Sequence, residues 1–150
     1  MKRMALLLYT GQRRGDVIRM GRQHIRNGKI DVVQQKTRER LAVPIHAHLR
    51  TALGACPSDH LTFLVTQAGA PFTSAGFGNW FADAVAAAGL TGMAAHGLRK
   101  AAARRLAEAG ATVKQIQAVT GRRTLREIER YTRAADQEAG AEAAMAKISV

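Results

Sequence analysis

A chain of 150 residues is long enough to bury one real core. Alanine supplies much of its 47% hydrophobic content, which favours closely packed helices over an aromatic-rich sandwich. Lys and Arg number 23 against 11 Asp and Glu, and the resulting formal charge of +12 attracts polyanions, nucleic acid first and an anionic membrane surface second. The lone Cys56 excludes an intrachain disulfide and leaves a thiolate metal site without partners. The opening MKRMALLLYTGQ mimics a signal peptide only until its short apolar run stops with no cleavage site. No stretch approaches the roughly 20 apolar residues of a membrane span, so an intracellular protein is the default expectation.

Residues 2 to 9 read as the end of a helix, with Met4, Leu7 and Leu8 on one face and Thr10-Gly11 as its stop. Arg13 to Met20 is predicted as a second helix, with Val17, Ile18 and Met20 for the core and Arg13 held by Asp16 at i, i+3. From Arg22 to Pro44 the helical period gives way to strand signals. Asn27-Gly28 is a two-residue hairpin turn between 23–25 and 29–33, and a third strand, Arg40 to Ile45, follows a polar tip made of Lys36, Thr37, Arg38 and Glu39.

His46 and His48 form an H-x-H pair without acidic or cysteine ligands nearby, so residues 46 to 54 are expected to form a short helix with Leu49 and Leu53 inward rather than a metal site. Leu61 to Val65 is a brief extended segment, and Thr73 or Ser74 caps a helix running to Ala88 with Phe77, Trp80, Phe81, Ala84 and Val85 at core spacing. These aromatics could stack on bases, but their spacing favours the core. The remainder is predicted as three helical pieces: Ala95 or His96 to Ala109, Thr112 to Thr120, and Leu125 to about Ala134. An alanine-rich tail, 137–150, is expected either to dock as a helix or to fray. The fold class expected is mainly α with a small antiparallel β-sheet, in a single domain over 1–150.

The chemistry concentrates between His96 and Tyr131. A phosphodiester attacked without a metal builds charge on its non-bridging oxygens, and planar, permanently charged guanidinium groups are suited to hold it. Arg13 and Arg99 are the candidates. A tyrosine nucleophile has an unperturbed pKa near 10 and needs a proton acceptor or a positive neighbourhood. His96, one helical turn from Arg99, could move that proton, and Lys36 could protonate the leaving oxygen. Taken singly, each residue has a plainer reading: a helix-start histidine, a surface arginine, a solubilising loop lysine and a packed aromatic. Their joint order carries the signal.

That order resembles the tyrosine recombinases, also called phage-type integrases. Residues 9–16, YTGQRRGD, look like the family's first-arginine box TGxRxxE/D, and His96-Gly97-Leu98-Arg99 matches its HxLR box. Glu127 to Thr132, EIERYT, resembles the nucleophile box, and the 32-residue interval from Arg99 to Tyr131 is typical of it. Lys36-Thr37 before Val43-Pro44 is similar to the family's hairpin lysine and following strand. The resemblance implies the DNA-breaking-rejoining catalytic fold and a 3′-phosphotyrosine intermediate formed without metal, cofactor or ATP. In that scheme Tyr131 is the nucleophile, Arg13 and Arg99 hold the phosphate, His96 assists proton transfer and Lys36 protonates the leaving oxygen. Arg14, Lys100 and Arg123 are further phosphate candidates.

Two departures from the family pattern stand out. Arg122, nine residues before Tyr131, occupies the place of the pattern's second histidine; arginine still donates to phosphate but cannot exchange a proton near neutral pH. The family's N-terminal core-binding domain is also missing, so the expectation is an N-terminally truncated catalytic domain with weak, salt-sensitive affinity. The implied partners are double-stranded DNA and other recombinase protomers, with no membrane, in a prokaryotic nucleoid. The alternatives are a DNA-binding remnant or accessory protein without productive recombination, a helical interaction domain unrelated to DNA, and the related type IB topoisomerases.

Overall fold

The computed structural model describes residues 2–56 and 59–148, without the side chains of Lys2, Leu125, Glu127, Tyr131, Ala134 and Ala135. Helix α1 (Lys2–Thr10) leads into the short α2 (Arg14–Val17). A 3-10 turn (Arg22–His24) precedes β1 (Ile25–Arg26), β2 (Lys29–Val33) and β3 (Arg40–Pro44). Then come α3 (Ala47–Gly54), α4 (Ser74–Ala87), α5 (Ala95–Glu108), α6 (Val113–Thr120) and α7 (Leu125–Met145). The chain is thus mainly helical with one small sheet.

Helix α1 packs against α2, α3 and α5, and its Leu6 and Leu7 are fully buried. They join Val17, Ile30, Leu49, Leu64 and Phe77 in the main core. A smaller core, built from Ala103, Ala107, Ile116 and Ile128, holds α5, α6 and α7 together. Small alanines on α5 let the facing helices approach closely.

The sheet is antiparallel in the order β1-β2-β3. Asn27 (φ 48) and Gly28 (φ 73) both adopt positive φ, the geometry whose twist matches a two-residue hairpin. Register pairs Ile25 with Ile30 and Ile30 with Val43. Ile30 and Val32 face the core while Lys29, Asp31 and Val33 face out. Gln34, one step beyond the strand, continues the inward phase and is also fully buried.

Helix ends follow local chemistry. The Thr73 hydroxyl accepts from the Gly76 amide at 3.0 Å to start α4. Thr112 and Gln115 form a reciprocal capping box for α6, which ends on Gly121 at φ 65. On α4, Phe77, Phe81 and Val85 are buried. Trp80 lies among Phe72, Phe77 and Phe81, with the Arg3 guanidinium 4.4 Å from its ring centroid. Phe77 and Phe81 are core, as their spacing predicts, and Trp80 and Phe72 pack half-buried against it.

Three expectations need correction. The helix expected over Arg13–Met20 is confined to Arg14–Val17, because the following turn tightens: Arg19 N donates to Asp16 O and Met20 N to Val17 O. Residues Gln23 and His24, expected in the first strand, belong to the 3-10 turn, and pairing begins at Ile25. The last helical piece, predicted to end near Ala134, runs on into the tail, for which a helix is one of the two expectations. Helix α7 runs for 21 residues to Met145, since alanine and glutamate sustain helix and the single Gly140 only weakens it. Among the described residues no helix is long and apolar enough to cross a membrane.

Among the glycines at positive φ, Gly121 is the most closely packed. A Cβ there would lie 2.6 Å from Gln34 Nε2 and 2.8 Å from Leu41 Cδ1, whereas Gly89, also at positive φ, faces nothing within 4 Å. Gly89→Ala is expected to cost only backbone strain, about 1 kcal/mol. Gly121→Ala adds the clash and should lose at least about 2 kcal/mol in urea unfolding; equal losses would refute the close approach.

Candidate active site

The start of α2, the β2–β3 turn and the start of α5 open onto one cleft of about 410 Å³. Arg13, Arg14 and Asp16 line it from the first, Gln35 and Lys36 from the second, and Ala94, Ala95 and His96 from the third, with Ser74 of α4 at its edge. Three permanent cations against one carboxylate leave the lining net positive. Lys36 and His96 are exposed, Arg13 is half-buried and Asp16 is buried.

Local geometry explains each position. Arg13 is the N-cap of α2 in extended backbone (φ −69, ψ 151), so it leaves the helical face on which Asp16 lies. The expected Arg13–Asp16 pair is therefore not formed among the described residues. Arg13 Nη1 instead donates to Gln34 Oε1 at 3.4 Å. Asp16 Oδ1 accepts from the Gln35 backbone amide at 2.9 Å, which anchors the turn carrying Lys36, while Asp16 Oδ2 has no hydrogen-bond partner among the described residues. Arg14 reaches back over α4: a Cβ on Gly78 would lie 2.7 Å from its Nη1, so the bare glycine makes room for the guanidinium.

Arg99 and Arg122 do not line the cleft. Arg99, one turn beyond His96 on α5, is 2% exposed, and its Nη1 donates to the Gly11 carbonyl at 2.9 Å. It thus fixes the backbone two residues before Arg13. Arg122 is 7% exposed in the turn after α6, and its carbonyl accepts from Gln117 Nε2 at 3.1 Å. Exposed Arg123 donates to Thr37 O and pairs with Glu39 at 3.3 Å, a surface ion pair of small worth. Lys100 is exposed on α5. Tyr131 lies on α7, which packs against α5 and α6; its side chain is outside the described residues.

Sequence reasoning missed the polar layer beneath this cleft. Gln12, Gln34 and Thr120 are all fully buried. Gln34 Nε2 donates to Gln12 Oε1 at 2.6 Å and to Thr120 O at 2.9 Å, while Gln12 Nε2 donates to Thr10 O and Val119 O. The available signal was the alternation Ile30, Val32, Gln34, which places an amide at an inward position.

The H-x-H pair has a structural task. His46 Nδ1 accepts from the His48 amide to cap α3, and the Tyr9 ring stacks on His46 with its hydroxyl 2.9 Å from His48 Nδ1. Among the described residues, no group of three or more His, Cys, Asp or Glu could hold a metal ion.

The architecture is helical, with a cationic cleft where the hairpin turn meets the starts of α2 and α5. A profile described as "Phage integrase family" matches residues 2–138, and the chain belongs to that family. The structure of the lambda integrase catalytic core is similar at TM-score 0.71 and 28% identity, covering 80% of this chain and 77% of that one. A lambda integrase(75-356) dimer bound to a COC′ core site matches at TM-score 0.75 and 26% identity, over 87% of this chain and 50% of that one. XerA recombinase shares the fold at TM-score 0.72 and 20% identity, over 99% of this chain and 60% of that one. The chain spans 40% of the length of the protomer in a lambda integrase tetramer bound to a Holliday junction. No curated protein sequence gives a significant match.

Arg99→Ala is expected to remove a buried side chain and strand the Gly11 carbonyl. Urea unfolding should show a loss of about 2–4 kcal/mol; a loss within about 0.5 kcal/mol would mean that this guanidinium does not brace α1.

Proposed function

We propose that the chain is the catalytic part of a site-specific DNA recombinase that cleaves and rejoins double-stranded DNA through a 3′-phosphotyrosine intermediate. The observation that carries this reading is the convergence of Arg13, Lys36 and His96, from three separate elements, on one cleft. Membership of the phage integrase family supports it. So does the excess of basic residues, 23 against 11 acidic, which suits a polyanionic partner.

In the proposed reaction the Tyr131 phenol oxygen attacks the scissile phosphorus as its proton leaves with assistance from His96. A P–O(tyrosine) bond forms and the P–O5′ bond breaks, and Lys36 delivers a proton to the departing 5′ oxygen. Arg13 balances the charge on the non-bridging oxygens from the cleft, and Arg99, which does not line it, adds permanent positive charge from its buried position while holding Gly11 and hence the approach to Arg13. Arg14, Lys100 and Arg123 contact flanking phosphates. Attack by a 5′ hydroxyl on the phosphotyrosine reverses the sequence; the linkage keeps the energy of the phosphodiester, so no metal, cofactor or ATP is consumed. Other recombinase protomers are the second partner, and the setting is the prokaryotic nucleoid.

Arg122 favours one further reading. A permanent cation in the place of a proton-exchanging histidine suits a protein that binds DNA without productive recombination. Trapping on nicked duplexes separates the two. A recombinase forms a covalent protein–DNA adduct that disappears in Tyr131→Phe, while a remnant binds and forms none. Arg122→His should speed adduct formation by about tenfold; no gain would mean that Arg122 does not limit turnover. Binding by either protein should weaken steeply with salt, by about 10³-fold between 50 and 200 mM for about six phosphate contacts. A flat salt profile would exclude DNA as the partner.

A further inference from the structure

The side chain of Gln34 meets four partners that belong to different parts of the candidate site. Its Oε1 accepts from Thr37 Oγ1 at 2.7 Å and from Arg13 Nη1 at 3.4 Å. Its Nε2 donates to Gln12 Oε1 at 2.6 Å and to Thr120 O at 2.9 Å. Thr37 follows Lys36 in the hairpin turn, Gln12 precedes Arg13, and Thr120 stands two residues before Arg122. One planar group thus links the roots of three segments distant in sequence.

We propose that Gln34, locked by Gln12, is a positioning residue that sets Arg13, Lys36 and Arg122 relative to one another. The inference rests on the recombinase reading for what those residues do, but the joint itself rests on geometry. Only a primary amide of this length answers the site, because one end must accept from a guanidinium and a hydroxyl while the other donates to a side-chain oxygen and a backbone carbonyl. A carboxylate would oppose the Gln12 and Thr120 oxygens, and a hydrocarbon would strand buried polar atoms on every side. Gln12 cannot turn to compensate, since its own Nε2 is held by Thr10 O at 2.9 Å and Val119 O at 2.8 Å. The turn after α6 is pressed onto this amide, as the 2.6 Å approach of a Cβ at Gly121 shows.

Gln34 touches no reacting atom, so its removal should separate binding from chemistry. DNA affinity follows the surface cations, and Gln34→Leu and Gln34→Glu are both expected to bind within about threefold of the wild type. Single-turnover cleavage of saturated nicked duplex should fall about 10²-fold in each, the scale of a small misplacement of catalytic groups. The Gln34→Glu arm keeps acceptors for Arg13 and Thr37, while it removes the donors and sets a negative charge against the Gln12 and Thr120 oxygens. A cleavage rate within about tenfold of the wild type in either folded variant overturns the proposal, and so does an affinity loss equal to the rate loss. Should neither variant fold, Thr37→Val leaves the amides in place and cuts only the arm to the Lys36 turn. It should slow cleavage by at least about threefold at unchanged affinity, and an unchanged rate overturns the joint.

If the wild-type chain forms no adduct, the recombinase reading fails, and the joint is read from hydrogen exchange. The Arg38 amide bonded to Gln34 O and the Gly121 amide bonded to Gln117 O should then exchange faster together in Gln34→Leu; where that variant does not fold, the Arg38 amide alone should exchange faster in Thr37→Val. Unchanged protection at Gly121 in Gln34→Leu, or at Arg38 in Thr37→Val, would overturn the joint.

Discussion

Two buried amides stand where three segments of the chain cross. Gln12 leaves the end of α1, Gln34 leaves the end of β2, and Thr120 ends α6; the Gln34 amide is hydrogen-bonded to both of the others. Fully buried polar groups hold a structure to one arrangement because any other leaves donors or acceptors without partners. The apolar core brings α1, the sheet and α6 near one another, and many packings would satisfy it equally well. The amides select one. Arg13, the Lys36 turn and the Arg122 turn all begin within a few residues of these bonds, so the geometry of the cleft is inherited from the layer below it.

Charge is arranged in two depths. Arg13, Arg14, Lys36 and His96 line the cleft and can meet an anion. Arg99 and Arg122 do not line it and are buried, and Arg99 donates to the backbone at Gly11. Removing a guanidinium from water is costly without compensating bonds, and an arginine bound to main chain in this way braces the fold as much as it supplies charge. Asp16 has a similar double character: one oxygen holds the Gln35 amide, and the residue sits among the cations of the cleft.

Much of the fold was legible because local chemistry and long-range packing agree. Asn27-Gly28 turns the hairpin, Thr73 and Thr112 cap their helices, and Gly110 and Gly121 end theirs at positive φ. The segment after Gly11 was harder. Val17, Ile18 and Met20 are buried as their apolar character demands, but burial alone does not distinguish a helix from a tight turn with the same side chains inward. Helix α7 extends beyond its predicted end to Met145, because alanine favours helix without needing a packed face.

The sequence by itself determined the secondary structure of most elements, the basic character and the ordered motifs that mark Arg13, Lys36, His96, Arg99 and Tyr131, because each depends on neighbours a few residues away. Only the tertiary structure decided that Arg13, Lys36 and His96 share a cleft, that Arg99 is buried against the Gly11 carbonyl, and that Arg13 turns to Gln34 instead of Asp16. Those outcomes depend on partners such as Gln34 and Thr120, 86 residues apart. Hydrogen bonds between such distant groups leave no periodicity in the chain, and they form only once the core has brought their elements together.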